Sequence, residues 1–151
     1  MEELEFKISD GNLYVGYDVF PLSKITVVRI CKSATKEDQY AIKIMMNDAM
    51  SMELNYSTYN PVELDWNFSR LCEAIREEQA DYHVYDDDYM LNVGNIEHIT
   101  PVKVIMGRKA VNVSFNERGR VVNLPYIKSE YINLVEAHHQ YQEKKQNAIN
   151  A

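Results

Sequence analysis

Ala41-Ile42-Lys43-Ile44-Met45-Met46-Asn47-Asp48 and, 69 residues further on, Ala110-Val111-Asn112-Val113-Ser114-Phe115-Asn116-Glu117 are two versions of one pattern. Each starts with alanine, sets β-branched residues at alternate positions, adds a large apolar residue and ends on asparagine and an acid. Alternation of period two marks a strand with one face on a core. Working outward, Met52-Glu53-Leu54-Asn55-Tyr56 matches Val122-Asn123-Leu124-Pro125-Tyr126 at an offset of 70, with the added residue in a turn containing Gly119. Upstream, Val15-Gly16 and Val93-Gly94 correspond loosely. A period of this length predicts a duplicated unit.

Both copies predict the same elements. The first gives strands over 12–20, 24–31, 39–47 and 50–56, with Glu5-Phe6-Lys7-Ile8 as a short edge strand before an Asp10-Gly11 turn. A helix over 61–79 follows, with Asn60 as N-cap, Pro61 in the first turn and Glu63 completing a capping box. Leu64, Phe68, Leu71 and Ile75 make its apolar stripe. The second copy gives strands over 89–95, 99–106, 109–116 and 120–126 and a helix over 129–146, with Ser129 as N-cap and Ile132, Val135 and His139 as its stripe. If Asn47-Asp48-Ala49 closes the first hairpin, Lys43 stands opposite Glu53, and Asn112 stands opposite Asn123 in the second. Each sheet then has one apolar and one polar face. The expected fold class is α+β: a tandem ββββα repeat of two antiparallel sheets, each followed by a helix and related by a pseudo-two-fold axis. The units are 1–79 and 89–151 within one compact domain, joined by a solvated acidic linker, 80–88, that holds Asp86-Asp87-Asp88.

Composition narrows the class. The chain has 151 residues, 46% of them hydrophobic and 26% charged, which is ordinary globular composition. No apolar run approaches the roughly 18 residues of a membrane span, and the acidic start Met1-Glu2-Glu3-Leu4-Glu5 lacks the basic region of a signal peptide. Cys31 and Cys72 form neither a CxxC pair nor a disulfide framework, which points to a reducing cytoplasm. The bias to 13 Asn and 11 Tyr over 5 Gly and 4 Pro fits an AT-rich coding genome such as those of phages and mobile elements.

Catalytic signatures are missing. There is no P-loop, GxGxxG, HExxH or GxSxG, and His98-Ile99-Thr100 is one half of a paired phosphoesterase motif whose other half does not occur. His138 and His139 diverge by about 100° on a helix and so do not converge on one metal. His83 and His98 have no ligand partner at metal spacing, and Asp86-Asp87-Asp88 lacks the glycine and distal glutamate of a calcium loop. The two cysteines read as small core residues. The sequence therefore implies no enzyme, no cofactor and no metal.

Charge is more informative. Residues 1–95 hold 8 basic and 18 acidic side chains, whereas residues 96–151 hold 8 and 5. The basic candidates for a binding surface are Lys103, Arg108, Lys109, Arg118 and Arg120, all on the second sheet or its turns. The pairs Arg108-Lys109 and Arg118-Arg120 cap opposite ends of one strand about 20 Å apart. A tandem ββββα plan is similar to that of the Whirly and PUR-repeat proteins, which bind single-stranded nucleic acid across their sheets. That likeness of plan implies an oligonucleotide-binding face on the basic copy. Against it, the outer sheet face is short of aromatics and the first copy is acidic. The favoured expectation is a small acidic protein-binding module, an adaptor, inhibitor or assembly component. Single-stranded nucleic acid is the alternative partner, a membrane is excluded and the oligomeric state is open. Met45, Met50, Met52 and Met106 supply soft apolar surface suited to a core or an interface.

Overall fold

The computed structural model describes residues 3–46, 51–79, 83–85, 88–115 and 121–150. Among them the chain is α+β, with two helices and three antiparallel sheets where two sheets were expected. The first sheet is a meander of β1 (Lys7–Ser9), β2 (Asn12–Val15) and β3 (Asp18–Pro21). Asp10 and Gly11 turn β1 into β2 with φ of 54° and 77°, the pair of positive values that a two-residue hairpin turn demands. Gly16, at φ 59°, breaks the strand expected over 12–20 into β2 and β3.

The second sheet has the order β6-β5-β4-β8-β7. Its strands are β4 (Ile25–Lys32), β5 (Tyr40–Met46), β6 (Ser51–Thr58), β7 (His83–Tyr85) and β8 (Tyr89–Asn92). Two strands from the second half of the sequence thus complete a sheet begun by the first half. The segment read as a solvated linker contains β7, where His83 is buried; Asp86 and Asp87 lie outside the described residues. The third sheet has β11 (Arg108–Phe115) at its centre, flanked by β12 (Val121–Pro125) on one side and by β9 (Ile96–Ile99) and β10 (Lys103–Ile105) in line on the other. The strand expected over 99–106 is interrupted because Pro101 has no N–H to donate. At the break the Asn112 amide donates to Thr100 Oγ1, 2.9 Å away, and the Thr100 amide donates back to the Asn112 carbonyl.

The five-stranded sheet is the middle layer, so its central strands send apolar side chains to both sides. On β4, Val28 turns into a core with Ile42, Ile44 and Met90, while its neighbour Val27 turns the other way, into a second core with Leu91, Val111 and Phe115. The expectation of one apolar and one polar face fails here because the third sheet covers the side that was read as outer.

Helix α1 (Pro61–Glu78) lies in the first core. Asn60 caps it, its side chain accepting from the Val62 and Glu63 amides. The capping box is not closed by Glu63; the Asn60 amide donates to Thr58 Oγ1 instead. Leu64, Phe68, Leu71 and Ile75 are all buried, as their spacing requires, and each such side chain contributes about 1.5–3 kcal/mol relative to exposure. Helix α2 (Lys128–Asn150) starts one residue before Ser129, so that serine is no N-cap. Its inward stripe is Tyr131, Leu134, Ala137 and Tyr141, while Ile132, Val135 and His139 face solvent. The two sets are offset by one residue, and Leu134 with the apolar bodies of the tyrosines outweighs the β-branched pair.

The registers of the two halves run in parallel. Val28 pairs with Ile44, and Ile99, 71 residues beyond Val28, pairs with Val113, 69 beyond Ile44. Ile25 pairs with Met46 and Ile96 with Phe115, in both cases after a register slip at the same place. Lys43 stands opposite Glu53 and Asn112 opposite Asn123, as the hairpin reading requires. A 3-10 turn precedes each of the corresponding strands, Leu22–Lys24 before β4 and Val93–Asn95 before β9. The looser match of Val15-Gly16 to Val93-Gly94 does not hold, since Gly16 sits in the β2–β3 turn.

Candidate functional site

The β10–β11 hairpin carries three of the five basic residues singled out by sequence. Its register, Lys103 to Ala110 and Ile105 to Arg108, puts Lys103 and Arg108 on the outer sheet face. Lys109, opposite Val104, projects to the other side. Neighbours in sequence are therefore split across the sheet. Arg118 and Arg120 lie outside the described residues. The outer face also presents His98, Asn112, Ser114, Val121 and Asn123, and among its described residues there is no Phe, Tyr or Trp. A base-stacking platform is not formed there.

The hairpin tip is apolar and unusual. Met106 and Gly107 form a two-residue turn with φ of 51° and 78°, the same geometry as Asp10-Gly11. Asp is an ordinary occupant of that left-handed position, whereas methionine is not. Met106 is 97% exposed and Val104 70% exposed, so no packing explains either side chain. Lys103, Arg108 and Lys109 surround them, and an open depression of about 470 Å³ runs from the tip to Asn123 and Pro125. Tyr126 donates its amide to the Lys109 carbonyl, so the backbone polar groups of Val121, Asn123 and Pro125 face the free edge of β12. Pro125 has no amide to offer an added strand, which shields that edge.

A second surface lies on α1 and was not singled out by sequence. Asn67, 0% exposed, accepts from the Leu4 amide and donates to Tyr56 OH and the Glu63 carbonyl. Arg70 donates to the Leu4 carbonyl at 2.6 Å, and its guanidinium lies 5.1 Å from the Phe6 ring and 4.8 Å from the Trp66 ring. Together these contacts fasten the N-terminal segment to α1. Trp66, the single tryptophan, is still 40% exposed, one helical turn from exposed Val62, and exposed Tyr59 precedes the helix cap. The two segments that build this patch also carry exposed Glu3, Glu5, Asp65 and Glu73, with Lys7 as an exposed cation. A rigid Trp–Arg stack with flanking Tyr is the composition of an interface anchor. The sequence signal was available in Val62-x-x-x-Trp66-x-x-x-Arg70, a second stripe beside the inward one of the same helix.

The titratable groups have structural surroundings. Burial pushes the Cys72 thiol up, against a weaker opposite pull from Arg76, so its thiolate is scarce. Burial pulls His83 below the usual value of 6.5; the Gln79 carbonyl, 3.1 Å from Nδ1, opposes this and Arg76 reinforces it. His138 bonds the Ile96 carbonyl through Nε2, and His139 pairs with Glu143 at 3.2 Å. Among the described residues no three His, Cys, Asp or Glu side chains are grouped to hold a metal ion. No helix among them is long and apolar enough to cross a membrane.

Compared with known proteins, the sequence matches no family model and no curated protein.

Proposed function

We propose that the chain is a non-enzymatic protein-binding module, a small cytoplasmic adaptor, inhibitor or assembly component, whose α1 face takes a basic partner. The single observation that carries this reading is the Trp66–Arg70–Phe6 stack, held rigid by Leu4 and built on two segments that carry exposed Glu3, Glu5, Asp65 and Glu73. The acidic excess of residues 1–95 draws a basic surface toward that face. The anchor is pre-organised, so binding orders little that is not already ordered. Cys31 and Cys72 are not joined in a disulfide, which supports a reducing compartment.

The architecture supporting this module is read as a duplicated ββββα unit, 1–79 and 89–151 joined through 80–88, with pseudo-two-fold symmetry. The paired registers, the shared slip and the two 3-10 turns favour that reading. The experiment is capture of proteins on immobilised wild-type chain, on Trp66→Ala and on Asp65→Lys with Glu73→Lys. A partner of this face is retained by wild type, released by salt and lost from both variants. Retention indifferent to the variants refutes the reading.

A further inference from the structure

We propose that the β10–β11 tip of one copy docks on the α1 face of a second copy, giving head-to-tail self-association. The inference rests on the reading of α1 as a binding face. Its own evidence is the tip. At two turns of the same geometry this chain places Asp10 in one and Met106 in the other. A methionine held in a left-handed conformation, fully in water, is unfavourable on both counts and gains nothing within its own copy. The turn needs the left-handed backbone but not a methionine in it, and that residue choice points to a contact outside the fold.

The occupant follows from chemistry on the same chain. The tip is an apolar apex, Val104 and Met106, behind which stand Lys103, Arg108 and Lys109. The α1 patch is the inverse: Trp66, Tyr59 and Val62, with exposed Glu3, Glu5, Asp65 and Glu73 on the two segments that build it. Methionine sulfur against an aromatic ring and lysine or arginine against carboxylate are complementary pairs. The two surfaces belong to layers on opposite sides of the five-stranded sheet, so the contact links separate copies. Tip and patch are different surfaces, so the interface is heterologous, and each copy keeps one of each free to continue the chain or close a ring. A partner bound to α1 and a second copy then compete for one face.

The test is sedimentation velocity over a concentration series at low and high salt. Wild type is expected to gain mass with concentration at low salt and to lose most of that gain at high salt. Met106→Asn and Trp66→Ala are each expected to remain monomeric. Asn suits the turn and Trp66 is on the surface, so both variants are expected to fold; Arg108→Glu and Glu73→Lys are the charge-reversal counterparts. An equimolar mixture of Met106→Asn with Trp66→Ala is expected to form a dimer and nothing larger, because one intact tip meets one intact face. A wild type that is monomeric throughout overturns the proposal, as does binding of the tip to anionic lipid vesicles in a monomeric protein. If Trp66→Ala abolishes partner capture while Met106→Asn leaves assembly unchanged, the tip proposal fails and the α1 reading stands. If Met106→Asn blocks assembly while Trp66→Ala does not, the tip docks elsewhere and the α1 site for it is refuted.

Discussion

Met106→Asn should make the protein more stable. Position 106 is the first of two turn residues and has φ of 51°. An ordinary L-residue held there costs about 1–2 kcal/mol, whereas asparagine visits this region readily and Asn-Gly is a favoured pair for the turn. Nothing is lost in exchange, because the methionine side chain is 97% exposed. Asparagine does not remove the whole penalty, so the expected gain is about 0.5–1 kcal/mol. For a chain of this size that raises Tm by about 1–4 °C. Thermal unfolding followed by far-UV circular dichroism, with urea melts at fixed temperature, measures it. Met106→Ala is the control: it shortens the side chain, keeps the strained conformation and should leave stability nearly unchanged. If Met106→Asn gives no gain, or a loss, the backbone argument is wrong and the tip is no longer a site where stability is given up.

Asn67→Ala removes a fully buried side chain with at least three hydrogen bonds and should cost about 2–4 kcal/mol in urea unfolding; a loss under about 1 kcal/mol would show that the N-terminal segment is not fastened as described. Phe68→Ala and Phe115→Ala, each in a different core, should each cost about 3–5 kcal/mol. Because β4 feeds both cores, Trp66 emission and circular dichroism should report one coincident transition, and two separated transitions would contradict the shared middle sheet. His83 is held below 6.5 by burial, so on acidification the unfolded chain takes up the proton first. The penalty is therefore absent above about pH 6.5 and grows as pH falls toward the lower folded value. Urea midpoints from pH 8 to 5 should drop more for wild type than for His83→Gln, and parallel curves would refute it.

Much of the fold was legible because hairpins are local. The alternation over Ala41–Met46 and Ala110–Phe115 predicted both strands, and Lys43 opposite Glu53 and Asn112 opposite Asn123 followed from turn position alone. The α1 stripe and its Asn60 cap were equally readable. The make-up of the five-stranded sheet was not, because β8 joins β4 across a long stretch of chain, with β7 beside β8 at the edge, and the partner of an edge strand leaves no periodic signal. The stripe of α2 was misread by one residue because isoleucine and valine rank above tyrosine in hydropathy, while tyrosine buries more surface. For the candidate surfaces, charge counts located the hairpin cations but not their division between faces, which depends on register. Met106 reads as the last residue of the strand expected over 99–106 and not as the first residue of a turn. Its meaning required the exposure and φ of Met106.

Trp66 itself gives the most direct measurement, since it is the single tryptophan and stands at the centre of the proposed face. Its emission should be followed while the protein is titrated with cationic amphipathic peptides, first at about 0.1 M and then at about 1 M salt, where screening shortens from roughly 10 Å to 3 Å. A saturable blue shift at low salt that is lost at high salt, and lost in Asp65→Lys with Glu73→Lys, is the predicted result. Unchanged emission with every peptide, together with saturable binding of a labelled single-stranded oligonucleotide, would contradict the account and return the function to the basic second sheet.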